Sequence, residues 1–68
     1  MKIVPRLREY RITAGLSQRE VAEHIGITQQ QYQLYESCKR DMPIAQYAQL
    51  AHFYNTSIDD LIEIIDGE

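Results

Sequence analysis

The chain is poor in the features that define several classes of small protein. Its 68 residues include one Cys, no Trp, three Gly and two Pro. A single Cys excludes an intrachain disulfide and a zinc site built on cysteine ligands. The low Gly and Pro content, with 44% hydrophobic residues, is typical of a folded rather than a disordered chain. We therefore expect one small domain, residues 1–68, that must pack efficiently or dimerise.

Long hydrophobic runs and catalytic patterns are also missing. The apolar stretches are only a few residues long, so we expect no membrane span or signal peptide and, by default, a cytoplasmic location. No nucleophile–base pattern, phosphate loop or carboxylate pair is visible, which argues against an enzyme. His24 and His52 have no Cys or carboxylate at ligand spacing, so neither a metal nor another cofactor is expected.

Positive charge is absent from the second part of the chain. Residues 1–40 hold seven basic and four acidic residues, a balance of +3, whereas residues 41–68 hold no basic and six acidic residues, a balance of −6. Together these give the net charge of −3. Such asymmetry suggests that the first part faces an anion and the second part is turned away. The plainer alternative is that the acidic residues only form a soluble surface.

The apolar spacing predicts five helices and no strand, an all-α fold. Pro5 suits the first turn of the first helix, and its inward stripe is expected to contain Ile3, Leu7, Tyr10 and Ala14. The predicted helices cover about 5–14, 18–25, 29–36, 43–54 and 58–65. The inward residues expected of the fourth helix are Ile44, Tyr47, Ala48, Leu50, Ala51 and Tyr54.

The boundaries of the second and third helices are the clearest. Ser17 and Glu20 have the spacing of a capping box. Gly26 is expected to end the second helix with positive φ, which Gly adopts without penalty. Thr28 is a suitable N-cap for the third helix. Residues 17–36 therefore read as a helix–turn–helix unit.

The third helix begins with three consecutive glutamines. At about 100° per residue, Tyr32, Tyr35 and Glu36 fall on the inward side, and the outward side is rich in amides. Glutamine bonds bidentately to adenine in the major groove, and an apolar side chain such as Leu contacts the thymine methyl group. The residues predicted to contact bases are Gln29, Gln30, Gln33 and Leu34, with Gln31 on the flank.

Phosphate contacts are expected at both ends of this unit. Gln18 lies at the start of the second helix, where free backbone N–H groups also favour an anion. Lys39 and Arg40 follow the third helix and offer positive charge. The predicted phosphate contacts are Gln18, Thr28, Lys39 and Arg40, with Arg8 and Arg19 as secondary candidates.

Arg11 and Glu36 are both expected on or beside inward helix faces. Charged residues are rarely buried unless they are paired, so the sequence predicts an ion pair between them. Loss of either partner would leave an uncompensated charge, at a cost of about 3–5 kcal/mol. The alternative is two unrelated surface charges.

The predicted fifth helix carries more isoleucine than a small core can bury. Ser57 and Asp60 have the spacing of a second capping box. An apolar patch left outside the core commonly marks a partner surface. We therefore expect a symmetric homodimer through Ile62, Ile64 and Ile65, with recognition helices about 34 Å apart on a palindromic site.

A family pattern is matched in register at residues 6–11, 14–18, 21–22, 25–28, 35–36 and 53–61. In these stretches the chain resembles the Cro and lambda-repressor type of helix–turn–helix proteins, also called the xenobiotic-response-element family. The resemblance covers about Val4 to Ile65 and implies a compact five-helix DNA-binding domain. Carried over by position, it implies base contacts at Gln29, Gln30 and Leu34. It likewise implies phosphate contacts at Gln18 and Lys39 and an ion pair between Arg11 and Glu36.

Two positions depart from the family pattern. Ser37-Cys38 replaces the usual Asn-Gly, and a left-handed Cys38 would cost roughly 1 kcal/mol or more. Cys38 is interpreted as an inert thiol, with a redox sensor as the alternative. Tyr32 replaces a small aliphatic residue, and its hydroxyl is expected to reach a backbone group or a phosphate.

The leading hypothesis is a transcriptional regulator, a repressor in type, that binds double-stranded DNA in a sequence-specific way. It would act by occluding a promoter or by placing polymerase there, and no small-molecule ligand is expected. The alternative is a protein-interaction module, such as an antitoxin or adaptor, that uses the acidic C-terminal half. The five tyrosines are interpreted as core residues whose hydroxyl groups reach water, rather than as a stacking platform for single-stranded nucleic acid.

Overall fold

A computed structural model describes residues 2–66. Within this range the chain forms four α-helices and a two-stranded sheet. None of the helices described is long and apolar enough to cross a bilayer. In chain order the elements are β1 (Lys2–Pro5), α1 (Leu7–Thr13), α2 (Gln18–Ile25), α3 (Gln29–Glu36), α4 (Ile44–Phe53), a 3₁₀ turn (Asp59–Leu61) and β2 (Ile62–Ile65).

The two ends of the described chain pair as an antiparallel ribbon, so the prediction of no strand is wrong. β1 lies against β2, with Ile3 opposite Ile64 and Pro5 opposite Ile62. The predicted fifth helix is also wrong, since residues 62–65 are extended. Isoleucine is stiff at χ1 and favours strands. The Ile-Glu-Ile-Ile sequence therefore pairs with β1 once the fold brings that strand alongside.

The predicted cap of the fifth helix forms only a short turn. The Asp60 N–H donates to the Ser57 hydroxyl at 3.3 Å, and the Leu61 N–H donates to the Ile58 carbonyl at 2.9 Å. The turn ends there, and Leu61 is fully buried. Leu61 therefore anchors the start of β2 in the core.

The first helix begins later than predicted. Pro5 lies in β1, and α1 starts at Leu7. Ile3 is 53% exposed and belongs to the ribbon, and Ala14 is exposed, so both were wrongly expected in the inward stripe. Leu7 is buried and Tyr10 packs against the core, as predicted.

The core lies between α2, α3 and α4 and is closed by Leu7 and Leu61. Val21, Ala22 and Ile25 are the buried residues of α2, and Leu50 and Ala51 are the buried part of α4. Ile44 is 69% exposed and Ala48 is exposed, contrary to the prediction, because they lie at the far edge of the α4 stripe. The core residues are Leu7, Val21, Ala22, Ile25, Tyr32, Tyr35, Met42, Leu50, Ala51 and Leu61.

Candidate nucleic-acid interface

The start of α2 is fixed by a reciprocal capping box. The Ser17 hydroxyl accepts the Glu20 N–H at 3.1 Å, and the Ser17 N–H donates to the Glu20 carboxylate at 2.9 Å. This confirms the prediction from the sequence. The box satisfies two backbone donors that a helix leaves unpaired, and it holds Gln18 at the first position of α2.

The turn between α2 and α3 also follows the sequence signals. Gly26 has φ +76°, the left-handed conformation that was predicted. The Thr28 hydroxyl accepts the Gln31 N–H at 3.1 Å and caps α3. Ala22 is 1% exposed, and its small side chain lets α2 and α3 cross closely. These contacts set the angle at which α3 leaves the domain.

α3 has one buried and one exposed face. Tyr32 and Tyr35 are buried, and the amides of Gln29, Gln30 and Gln33 are exposed. Leu34 is half-buried. The structure therefore presents the predicted base-contacting residues on the outer side of the helix.

Gln31 is held on the flank of α3. Its amide donates to the Tyr35 hydroxyl at 2.9 Å, and Gln31 is half-buried. This bond commits the side chain to the protein and separates Gln31 from the neighbouring glutamines.

The carboxylate of Glu36 is the hub that joins three elements. Arg11 on α1 donates through Nε to Oε2 at 2.9 Å and through Nη2 to Oε1 at 3.0 Å. Gln18 on α2 donates to Oε1 at 3.0 Å, and the Tyr32 hydroxyl donates to Oε2 at 2.7 Å. The predicted ion pair is thus present, with two donors that the sequence reasoning did not assign to it.

The electrostatics of this hub favour the charged forms of the pair. Burial acts to raise the pKa of Glu36, but hydrogen bonds from Arg11, Gln18 and Tyr32 outweigh it and lower that pKa. The hydrogen bond to Glu36 raises the pKa of Arg11. Burial, followed by the bond to Glu36, raises the pKa of the Tyr32 hydroxyl. The pair therefore remains ionised at neutral pH.

A shallow cavity of about 210 Å³ opens beside the hub and is lined by Arg8, Gln18, Gln33, Glu36 and Ser37. We call it the notch. One amide N–H of Gln18 is bonded to Glu36, and a primary amide has a second N–H to offer. Arg8 and Gln33 add further donor groups to the lining, whereas the Ser37 hydroxyl already donates to the Gln33 carbonyl at 2.8 Å. The notch is a polar recess next to the exposed face of α3.

The exit from α3 departs from the usual geometry of a non-glycine residue. Cys38 has φ +64°, so the left-handed conformation considered from the sequence is adopted. The Cys38 N–H donates to the Tyr35 carbonyl at 3.1 Å, and the Lys39 N–H donates to the Leu34 carbonyl at 2.9 Å. These bonds close the end of α3 and fix the backbone of Lys39.

Lys39 and Arg40 are both exposed, but Arg40 lies away from the notch. Arg40 lines a groove of about 500 Å³ beside β1, together with Lys2 and Met42. The structure therefore brings Gln18 and Gln33 to one recess and does not bring Arg40 to it.

Sequence reasoning missed part of this arrangement. The bond from Tyr32 to Glu36 has an i, i+4 signal on α3, since residues so spaced are neighbours on a helix. The expected partner of Tyr32, a backbone group or a phosphate, is wrong. Ser37 was not considered as a site residue, and Arg8 was only a secondary candidate. Their place in the notch depends on how α1 packs, for which the sequence has no local signal.

Comparison with known families identifies the family of this chain. A family model described as a helix-turn-helix domain matches residues 4–63. The chain belongs to this helix-turn-helix family. The match includes the fourth helix, the second half of β1 and the first half of β2. No curated protein matches the chain.

Among solved structures, the helix-turn-helix protein is similar to a transcriptional regulator from Listeria innocua. The TM-score is 0.80 at 22% sequence identity, covering 93% of this chain and 59% of the other. The chain thus spans about three fifths of the regulator's length, and the likeness is one of fold. Family and fold together show a mostly helical helix-turn-helix domain.

Proposed function

We propose that this helix-turn-helix protein binds double-stranded DNA in a sequence-specific way and regulates transcription as a repressor, by inserting α3 into the major groove. The observation that carries the proposal is the exposed amide face of α3 on a rigidly held helix. The residues that would contact base edges are Gln29, Gln30, Gln33 and Leu34.

Gln29 and Gln30 are the foremost readers in this proposal. They occupy the first turn of α3, and in helix–turn–helix docking the N-terminal residues of the recognition helix reach the bases. Each amide can donate and accept along an adenine edge. Leu34 lies one turn later and would contact a thymine methyl group. The preferred half-site is therefore expected to contain A·T pairs.

The notch would receive a backbone phosphate. Gln18 is fixed there by Glu36, has a second amide N–H to offer, and lies at the N-terminus of α2. Phosphate oxygens are bound in this way by amides and helix N-termini. The Glu36 carboxylate in the lining is neutralised by Arg11, which limits its repulsion of the phosphate. Thr28, Lys39 and Arg40 would add contacts farther along the backbone.

The acidic C-terminal part is assigned to a surface away from DNA. Ile64 and Ile65 are 57% and 45% exposed, and Ile62 is half-buried. We assign these three residues to a homodimer interface, now on a strand rather than a helix. We place the protein in the cytoplasm and assign it no enzymatic activity.

Selection of binding sites from random DNA, followed by binding measurements over a range of salt, tests the proposal. We expect an enriched motif and an affinity that falls steeply with salt, because bound phosphates release counterions. No enrichment, together with no DNA binding at low salt, would contradict the proposal. That result would favour the protein-interaction alternative, for which the acidic C-terminal half with its exposed isoleucines is the natural surface.

A further inference from the structure

In the ribbon of β1 and β2, the positions of the hydrogen-bonded residue pairs determine which backbone N–H and C=O groups point outward. The Arg6 N–H donates to the Leu61 carbonyl at 2.7 Å, which makes this a hydrogen-bonded position of the ladder, next to the pair of Pro5 and Ile62. In an antiparallel ladder such pairs alternate with pairs whose N–H and C=O groups point away. The register then turns outward the groups of Ile3 and Pro5 on β1 and of Ile62 and Ile64 on β2.

The two edges of the ribbon are not equivalent. Proline has no N–H and blocks strand addition at an edge, so Pro5 leaves β1 with one outward donor instead of two. β2 keeps the outward N–H and C=O of both Ile62 and Ile64. Glu63, Ile64 and Ile65 are exposed, so no other part of the described chain covers this edge of the ribbon. The edge of β2 is therefore the one prepared for another strand.

We propose that a second copy of this chain adds to the β2 edge in antiparallel fashion, with Ile64 facing Ile64 of the second copy across the two-fold axis. This inference rests on the homodimer of the proposed function and specifies its interface. A two-fold interface uses the same patch on both subunits. The edge of β2 can form such an interface, because its outward N–H and C=O groups can bond the same groups of a second, antiparallel copy.

Other registers are less favourable. A pairing of Ile62 with Ile64 of the second copy also matches outward groups. However, it sets Glu63 directly opposite Glu63 of that copy, and like charges so placed are destabilising. A pairing centred on Ile62 runs into the 3₁₀ turn, which ends at Leu61. The register centred on Ile64 avoids both problems.

In this register both faces of the four-stranded sheet are complementary. Because paired residues share a face, Ile3 and Ile64 of both copies form one continuous row of four isoleucines. Ile3 and Ile64 are each more than half exposed in the single chain. On the opposite face, Glu63 of one copy lies opposite Ile65 of the second copy, which in turn pairs with Lys2 of the second copy. Glu63 and this Lys2 are therefore two strand spacings, or about 10 Å, apart. Long side chains of opposite charge can approach across that distance.

Charge pairing at position 64 tests the register. Ile64→Lys and Ile64→Glu should each sediment as monomers, because like charges meet at the two-fold axis. An equimolar mixture should form the heterodimer in native mass spectrometry. Ile44→Lys is the matched control: Ile44 is 69% exposed on α4, outside the ribbon, and this variant should remain dimeric by itself. Amide spectra of each variant check that the domain is folded.

Hydrogen exchange of the wild-type chain provides an independent measurement. The amides of Ile62 and Ile64 should exchange quickly in dilute monomer and slowly in concentrated dimer. The amides of Glu63 and Ile65, already bonded to β1, should change little. A monomer at all concentrations, a dimer without protection of Ile62 and Ile64, or a mixture that stays monomeric would overturn the inference. Half-site DNA binding by the wild type is measured separately: if it is retained, only the strand pairing fails, whereas its loss contradicts the proposed function.

Discussion

The guanidinium of Arg11 binds both oxygens of the Glu36 carboxylate, at 2.9 and 3.0 Å. The two side chains are 14% and 7% exposed, so the pair is largely shielded from water. Arg11 makes a third hydrogen bond as well, since its Nη1 donates to the Leu16 carbonyl at 3.0 Å. The pair therefore ties α1 and the loop before α2 to the last residue of α3.

Removing one member of this pair should destabilise the domain severely. We expect Glu36→Ala to lower the free energy of unfolding by about 3–5 kcal/mol, because Arg11 is left as an uncompensated charge. Urea unfolding measures the loss. The matched control is Arg19→Ala, which breaks an exposed pair with Glu23 at 3.4 Å and should cost less than about 1 kcal/mol. Equal losses in both variants would contradict the structural role given to Glu36.

The same carboxylate makes stability depend on pH. The pKa of Glu36 is lower in the folded protein than its ordinary value of 4.5. Its contribution is therefore fully present above that value and is lost as pH falls through the folded pKa. Unfolding measured between about pH 7 and about pH 3 should show this loss in the wild type and a shallower one in Glu36→Gln. Asp60 also has a lowered pKa, owing first to its hydrogen bond from Thr56, so a residual slope is expected. An unchanged profile in Glu36→Gln would exclude Glu36 as a main source.

The Tyr32 hydroxyl should contribute measurably to the same hub. Tyr32→Phe removes the 2.7 Å bond to Glu36, and a hydrogen bond to a charged group is worth about 1.5–3 kcal/mol. Tyr54→Phe is the matched control, since the buried Tyr54 hydroxyl has no partner within residues 2–66. That variant should be neutral or more stable in thermal unfolding. A larger loss in Tyr54→Phe than in Tyr32→Phe would reverse this assignment.

What could be predicted from the sequence was mainly local. Ser17 with Glu20, Gly26 and Thr28 each act over a few residues, so their spacing was enough to place α2 and α3. β2 could not be placed in this way, because its partner β1 lies at the other end of the chain. An Ile-rich segment reads as a helix face or a strand until its partner is known.

The candidate site divides along the same line. The exposed glutamines of α3 follow from helical periodicity alone. The bond from Gln18 to Glu36 and the lining of the notch require the packing of three elements. Which bases the glutamines contact stays a prediction, since it depends on DNA.

The strained exit of α3 predicts a stabilising substitution. Cys38→Gly relieves a left-handed conformation that costs an L-residue about 1–2 kcal/mol. Glycine also makes the unfolded chain more flexible, which offsets about 0.4–1 kcal/mol of the gain. We expect a small net rise in melting temperature. The control is Ala14→Gly, where φ is −79°, no strain is relieved, and stability should fall. A loss in Cys38→Gly would mean that its side chain contributes more than the backbone strain costs.

The proposed base contacts of α3 and the proposed phosphate contact of Lys39 predict different effects on DNA binding. Gln29→Ala and Gln30→Ala should relax base preference, with a loss of about 1–3 kcal/mol of discrimination for each bidentate contact. Lys39→Ala should weaken all sequences alike and reduce the slope of affinity against salt by about one. Binding to the selected site and to single-base variants measures both effects.

Gln31→Ala is the control for these glutamine variants. Its amide is already bonded to Tyr35, so its removal should leave base preference unchanged even though it lies beside Gln30. If Gln31→Ala altered the preferred sequence while Gln29→Ala and Gln30→Ala did not, α3 would contact DNA through its flank. The proposed orientation of the helix would then be wrong, although the protein could still bind DNA. A change confined to Gln29 and Gln30 would instead favour the docking in which the first turn of α3 reaches the bases.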